Sequence, residues 1–539
     1  MVDRILHPGG AVARIRRVCR NSLCSRARTE KSIVDRVAYL CELVAGRLPA
    51  KGELQIQSDE TPHDSDANFR HQERQVVDAA TTDVQTFHCL VTGRLQNSGQ
   101  LTTSMSKRSK RVAHRRWPTA SGPSWICCQL GAREHYAVPA YFHLRGRLAA
   151  LLTDAWIPPG TLTEKLAVGV FRPLRDRFDR QLADAPVYHF TSSLGRFEAG
   201  ARLRGGISHW EQIQSRNAWF QEQAVLQLNK LGLLETQNDA EPPIVFAYSY
   251  AARRIFEAAR SAGCRTVLGQ IDPGPYEEKL VAGLYGKRRA LEPDWHPAPS
   301  SYWHEWQEEL ALADRIVVNS QWSREALLAS SVRADKICIV PLAFEPPVQV
   351  HTARRVYPAA FTEDRPLNVL FLGSLILRKG IAEMLEAADL LANAPVVLWF
   401  IGTPGIHRPA LAAANPRIHW LGSAPRAAVH DRYQAADVFI LPTHSDGFGL
   451  TQLEAQAWGL PIIASRHCGE VVEHGANGLL LDEVTASAIA DAVSWVVANP
   501  LLLQQMSQKA VERSTQFRSE VVLKKLETCM NDAACTAST

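Results

Sequence analysis

The sequence predicts an α/β protein of two Rossmann-like domains facing a cleft, preceded by a mostly disordered N-terminal extension. Three observations carry that prediction. Short, continuously apolar segments alternate with helical patterns from Ser124 to Pro341. A second alternating array starts at Asn368. Between them, residues 345–365 hold several prolines and no apolar period, which reads as a linker. Short apolar strands that alternate with helices mark parallel sheets covered on both faces.

In the first array the expected strands are 125–130, 187–190, 244–248, 266–271, 316–319 and 337–341. Helical patterns fall at 134–146, 210–231, 251–262 and 323–330. The second array offers strands at 368–373, 396–402, 418–421, 438–442, 462–464 and 479–481. Its helices fit at 379–391, 426–435, 451–458, 487–499 and 501–515. The expected organisation is an extension at 1–122, a first domain at 123–344, the linker at 345–365, and a second domain at 366–515. A C-terminal helix and tail at 516–539 return toward the first domain.

The extension has one helical pattern, 32–48, and long polar stretches at 55–74 and 96–121. Such composition buries too little apolar surface to fold alone. Met105 opens Met-Ser-Lys-Arg-Ser-Lys-Arg shortly before the first strand, so translation is expected to start there, with residues 1–104 a misassigned extension. The basic run at 107–116 reads as a solvated leader, and a peripheral membrane contact through it stays open.

Composition narrows the class. The chain has 539 residues, 46% hydrophobic and 21% charged, ordinary for a globular protein of two or three domains. A net charge of +5 gives no reason to expect nucleic acid. Eleven scattered cysteines without a Cys-x-x-Cys pair suggest reduced thiols and a cytoplasmic location. Cys127 and Cys128 lie in an apolar run and read as core. No run of about 18 apolar residues is present, so no spanning helix is expected, and neither is a secretory signal.

The most informative segment is Ser445-Asp446-Gly447-Phe448-Gly449-Leu450-Thr451, followed by Glu454 and a Gly459-Leu460-Pro461 turn. Glycines before a helix let a ligand approach the backbone. The helix start offers free N–H groups and a positive dipole end to an anion. A carboxylate one turn further in accepts hydrogen bonds from hydroxyls beside that anion. A phosphate next to a polyol describes a nucleotide-sugar.

Asp446 and Glu454 with seven residues between them resemble the acidic-x7-Glu signature of the family 4 retaining glycosyltransferases, also called glycosyl transferases group 1. The likeness runs over roughly residues 123–530 and implies the GT-B fold. It implies transfer of a sugar from a nucleotide-sugar donor to an acceptor hydroxyl with retention, in polysaccharide or glycolipid biosynthesis. It implies no cofactor and no metal. The acceptor, a saccharide or lipid-linked saccharide, is unknown. The family's first acid is usually Glu, so Asp446 is one methylene short.

The resemblance distributes roles. Asp446 falls near the transferred sugar, and Glu454 on the ribose. Gly447, Phe448 and Gly449 bring backbone close to the donor, and the N–H groups of Leu450 and Thr451 meet a phosphate. Gly373 opens the loop that carries Arg378 and Lys379. These cations, with a helix start, suit the charge that grows on a leaving diphosphate. The family often has Arg where Ser374 stands. In the first domain Gly131, Arg133 and His135, with Glu134 between them, are cleft candidates for the acceptor. The segments 248–250 and 270–274 also end strands on that side. Glu470 reads as loop support. The Asp64-Ser-Asp66 pair lies in the extension and reads as chance, and no His/Cys cluster has zinc spacing.

Two rivals remain. One is a nucleotide-sugar-binding protein with weakened or lost transferase activity, suggested by Asp446 and Ser374. The other is a phosphorylase or epimerase of the same fold, for which no cofactor lysine is marked.

Overall fold

The structure is a computed structural model. It describes residues 122–161 and 177–531, apart from short stretches at 205, 207, 236–240, 293–294, 347–349, 351–354, 408–414 and 425. The expected disordered extension, the 32–48 helix, the basic run and the Met105 start lie outside the described residues.

Two parallel sheets form the frame. The first has seven strands: β1 (Trp125–Gln129), β2 (Leu148–Thr153), β3 (Val187–His189), β4 (Ile244–Tyr248), β5 (Arg265–Gly269), β6 (Arg315–Val318) and β7 (Ile337–Ile339). Their order is β3-β2-β1-β4-β5-β6-β7. The second holds β8 (Leu367–Leu372), β9 (Val396–Ile401), β10 (Ile418–Gly422), β11 (Val438–Leu441), β12 (Ile462–Ser465) and β13 (Gly478–Leu481), in the order β10-β9-β8-β11-β12-β13. Both orders reverse direction beside their first strand. Ligands of such sheets sit at that reversal, beyond the carboxyl ends of the strands. The loops after β1 and β4, and those after β8 and β11, therefore flank the cleft.

The strands form because both faces are covered. Every residue of β1, β4, β11 and β12 is buried. In β1, Trp125 and Cys127 face one core while Ile126 and Cys128 face another, the two-residue period of a strand. Burial pushes the Cys128 thiol up to about 12 and Cys127 well above its usual range, so both are inert packing groups.

The covering helices in the first domain are α1 (Ala137–Leu144), α2 (Thr191–Arg204), α3 (His209–Leu231), α4 (Arg253–Ser261), α5 (Pro275–Arg288), α6 (Ser300–Leu312) and α7 (Gln321–Ala329). The second domain adds α8 (Ile381–Leu390), α9 (Arg426–Ala435), α10 (Leu450–Ala457), α11 (Ala486–Ala498) and α12 (Pro500–Ser514). The last helix, α13 (Ser519–Asn531), lies on the first domain. Arg145 pairs with Glu520 at 2.7 Å, and Arg265 and Arg315 donate to the carbonyls of Met530 and Cys529. No single helix among the described residues is long and apolar enough to cross a membrane.

The largest local departure from the sequence expectation is at 134–146. The helix starts only at Ala137, because Glu134, His135 and Tyr136 all have left-handed backbones, with φ of 48°, 51° and 63°. Left-handed geometry costs an L-residue about 1–2 kcal/mol, so the packed loop must impose it. Strand β2 was not expected. Its Leu-Ala-Ala-Leu-Leu-Thr run has helix-favouring composition, and its place beside β1 overrides that. Helices α2, α5 and α6 were likewise not expected.

Linker and second domain are joined by Arg355. Its guanidinium donates to the carbonyl of Trp458 at 2.7 Å and to those of Ala436 and Tyr433.

Candidate functional site

The loop after β8 and the loop after β11 meet at the cleft. Leu377–Lys379 form a single 3-10 turn, and Gly380 then takes φ of 72° before α8 begins. A Cβ at Gly380 would overlap the carbonyl of Pro442, at the end of β11. Glycine is thus the condition for bringing Lys379 against the acidic loop. Lys379 pairs with Asp446 through Nζ and Oδ2. Both side chains are mostly buried.

The charges of this pair reflect competition. Burial lowers Lys379 below its ordinary range, and Asp446 only partly restores it. Burial pushes the Asp446 carboxyl up, but Lys379 and Arg378 outweigh it and leave Asp446 below its usual value. Arg378 Nη1 donates to the Ser445 carbonyl at 2.7 Å and to Glu277 Oε2 at 3.1 Å. Glu277 comes from the first turn of α5, in the opposite domain. Burial pushes it up to about 7, against the pull of Arg378 and with the help of Asp272.

Gly449 caps α10 with φ of 83°. Among the described residues, the N–H groups of Leu450 and Thr451 meet no backbone carbonyl, so the helix start faces the cleft with its donors open. Phe448 is different. Its ring is 2% exposed, packed under Gly469 and edge-on to Phe517. Only its backbone can meet a ligand. Gly447 makes one of the contacts between the domains. Its carbonyl accepts from the hydroxyls of Ser320 at 2.8 Å and Ser323 at 3.2 Å. A Cβ there would overlap the Ile271 carbonyl. Gly447→Ala is expected to wedge the domains apart, enlarging the radius of gyration in solution scattering and lowering turnover. An unchanged radius with full activity would refute the close contact.

Glu454 lies one turn into α10. It accepts from the Tyr433 hydroxyl at 2.7 Å, and His135 Nε2 stands 3.9 Å away. A cavity of about 180 Å³ opens here, lined by Glu454, Tyr433, Trp458, Val429, His430, Phe344 at the end of the first domain and Glu345 at the start of the linker. His135 is thereby a first-domain candidate whose side chain approaches the second acid of the motif. Gly131 is fixed further back. Its N–H donates to Asp154 Oδ1 at 3.0 Å, and the fully buried Asp154 also holds Arg216 at 3.0 Å. Arg133 is exposed on the same loop. Glu134 turns inward beside Tyr248, and burial pushes it up to about 7. It borders a groove of about 600 Å³ that runs along α1 to the start of α13.

Gly373 sits at the end of β8, and Ser374 beside it is exposed. Glu470 bridges the domains: its carboxylate accepts from the N–H of Gln321, at the start of α7, at 2.8 Å. This contact is a helix cap across the cleft, made to the other domain. Among the described residues no group of three His, Cys, Asp or Glu side chains is placed to hold a metal ion.

Sequence reasoning missed Glu277, Tyr433 and Asp154, and gave Ser445 no role of its own. Glu277 follows Gly274-Pro275, and an acid in the first turn of a helix looks like an ordinary dipole partner. Nothing local says that it crosses to another domain. Tyr433 sits on an amphipathic helix where an aromatic reads as core.

Comparison with known proteins bears on the fold and on the second domain. Residues 357–513 match the family model described as glycosyl transferases group 1. A D-inositol 3-phosphate glycosyltransferase of Xylanimonas cellulosilytica is 30% identical over 252 residues, 43% of this chain and 60% of that protein. The one from Corynebacterium diphtheriae is 36% identical over 120 residues, 22% of this chain and 28% of that protein. The chain thus spans less than two thirds of the length of these curated relatives. The sucrose-phosphate synthase of Thermosynechococcus elongatus superimposes with a TM-score of 0.50 at 17% identity, over 77% of this chain and 100% of that one. A point mutant of S. aureus TarM in complex with fondaparinux, alpha-GlcNAc-glycerol and UDP gives 0.51 at 11% identity, over 76% and 100%. The two sheets and their neighbours make the fold GT-B. Through residues 357–513, its second domain is similar to the glycosyl transferases group 1 family.

Proposed function

We propose that the chain is a glycosyltransferase that moves a sugar from a nucleotide-sugar donor to an acceptor hydroxyl, with retention of configuration. The observation that carries this reading is the convergence of Lys379, Arg378, Asp446 and the open start of α10 at one end of the second sheet. The diphosphate lies over the helix start, against Lys379 and Arg378. As the glycosidic bond breaks, negative charge grows on the leaving phosphate, and two fixed cations with a helix dipole stabilise it in a water-poor cleft. No resident cofactor or metal is part of this mechanism. Glu454, steadied by Tyr433, accepts from the ribose hydroxyls. Asp446 accepts from a sugar hydroxyl once the donor phosphate competes for Lys379.

The acceptor enters from the first domain, past Gly131, Arg133 and His135. Saccharides and lipid-linked saccharides are the proposed acceptor class, in polysaccharide or glycolipid assembly at the cytoplasmic face of a membrane. Nucleic acid is not a partner. The test is incubation of the full chain with UDP-, GDP- and ADP-sugars, with release of free nucleoside diphosphate as the readout. UDP-sugars come first, because UDP is bound in the TarM neighbour. One donor class should be cleaved, slowly by water and faster with an acceptor; no release from any of them rules the reading out.

A further inference from the structure

We propose that Glu277 is a positioning residue of the donor site: from the first domain it fixes Arg378 and Ser445 of the second, so that the phosphate-binding cations are set only when the two domains meet. The inference rests on the donor reading above and adds to it a residue from the other side of the cleft.

The geometry is a branched network across the domain boundary. Arg378 Nη1 donates to Glu277 Oε2 at 3.1 Å and to the Ser445 carbonyl at 2.7 Å. The Ser445 hydroxyl donates to the same Oε2 at 2.7 Å. That hydroxyl in turn accepts from Trp322 Nε1 at 3.0 Å, at the start of α7. Ser445 is fully buried and directly precedes Asp446. One carboxylate oxygen thus sets both the arginine and the loop that presents the sugar-facing acid. A second first-domain acid acts on the same turn, since the Leu377 N–H donates to Glu292 Oε2 at 2.9 Å.

Two features separate positioning from simple bracing. First, every hydrogen bond that the Arg378 side chain makes among the described residues uses Nη1. Its Nε and Nη2 keep three N–H donors for a ligand. Glu277 therefore anchors one corner of the fork and leaves the rest directed elsewhere, which suits bidentate phosphate recognition. Secondly, Glu277 is surrounded by the charges that a diphosphate would meet. Arg378 and Lys379 face it from the loop after β8, Asp446 from the loop after β11, and Asp272 from the turn before α5. Asp272 is itself held by the Tyr250 hydroxyl and the Gly274 N–H. Glu278, next on α5, turns away to the Trp303 indole at 2.8 Å.

The test is nucleoside diphosphate binding by the full chain, with UDP, GDP and ADP as probes, in wild type, Glu277→Gln, Arg378→Ala and the double variant. Gln keeps an acceptor oxygen and the shape, so the fold survives where Ala would leave a hole. At pH 8 Glu277→Gln should weaken binding of the preferred nucleotide by roughly tenfold or more, as expected for loss of a charged hydrogen bond. In the Arg378→Ala background it should add nothing, because the glutamate acts through that arginine. Glu277 is pushed up to about 7, so its charge is present above that pH and lost below it. The ratio of wild-type to Glu277→Gln affinity should therefore shrink toward one between pH 8 and pH 6, while the nucleotide's own ionisation cancels in the ratio. Wild-type affinity in Glu277→Gln, additive losses in the double variant, or a ratio that does not change with pH each overturn the assignment. If the wild type binds none of the three nucleotides, the donor reading fails, and this inference falls with it.

Discussion

Lys379→Ala removes the stabilisation that a bound nucleoside diphosphate gives the wild-type chain. In the wild type, ligand at about 100 times its dissociation constant should raise stability by roughly 2.7 kcal/mol. The variant should show no such shift at the same concentration. Of the two cations, Lys379 is the one whose charged end meets Asp446, and its removal changes that acid as well as the phosphate site. A buried carboxylate without its cation is costly, of order 3–5 kcal/mol when one partner of a buried pair is deleted. Asp446 would respond by taking up a proton more readily, since burial pushes it upward and only Arg378 and the Phe448 N–H would remain to oppose. The variant should accordingly unfold at a lower temperature without ligand, and recover part of the loss at acid pH. Differential scanning fluorimetry at pH 6 and pH 8, with and without UDP, GDP or ADP, reads both effects. Retention of the ligand-induced shift in the variant would remove Lys379 from the phosphate site.

Much of the frame was legible because parallel strands buried on both faces leave plain apolar runs. Strands β4 and β11 need no tertiary information, as Ile-Val-Phe-Ala-Tyr and Val-Phe-Ile-Leu show. β2 was not legible, because Leu and Ala serve helices as well as strands and only its neighbours decide. The candidate site was legible on one side of the cleft. Asp446, Glu454, Arg378 and Lys379 belong to loops whose local chemistry, acids and cations beside glycines, is unusual in itself. Its other side was not. Glu277, Ser320 and Glu470 gain their meaning from contacts more than a hundred residues away in sequence, and no local pattern records a domain interface. The left-handed run at Glu134–Tyr136 was also hidden, because none of the three is glycine. Strain of that kind at a cleft loop is a feature of functional sites rather than of propensity.

The second large effect concerns Asp446, where the chain departs from the Glu usual in the family it resembles. Asp446→Asn should still fold, with a lower melting temperature because buried Lys379 loses its carboxylate, and reduce turnover by roughly 100-fold or more, the scale seen when a polar group that stabilises developing charge is deleted. The amide keeps the shape but loses the charge that pairs with Lys379. Asp446→Glu is the sharper experiment. The Asp446 carboxylate is short, yet it reaches Lys379 because Gly380 lets the two loops close on each other. Neighbouring Cys468 is 2% exposed, and even a Cβ on Gly449 would stand 3.5 Å from the Asp446 Oδ2, so an added methylene has little room. Overpacking of this kind costs about 1–3 kcal/mol. The expected result is a loss of activity and of several degrees in melting temperature, which marks the aspartate as the working residue of this site. A gain in sugar transfer with the longer acid would mean the opposite. The chain would then be a nucleotide-sugar-binding protein whose transfer has decayed at this position. Parallel measurement of donor cleavage and nucleotide affinity separates the two, since a decayed transferase keeps its affinity while turnover rises in Asp446→Glu.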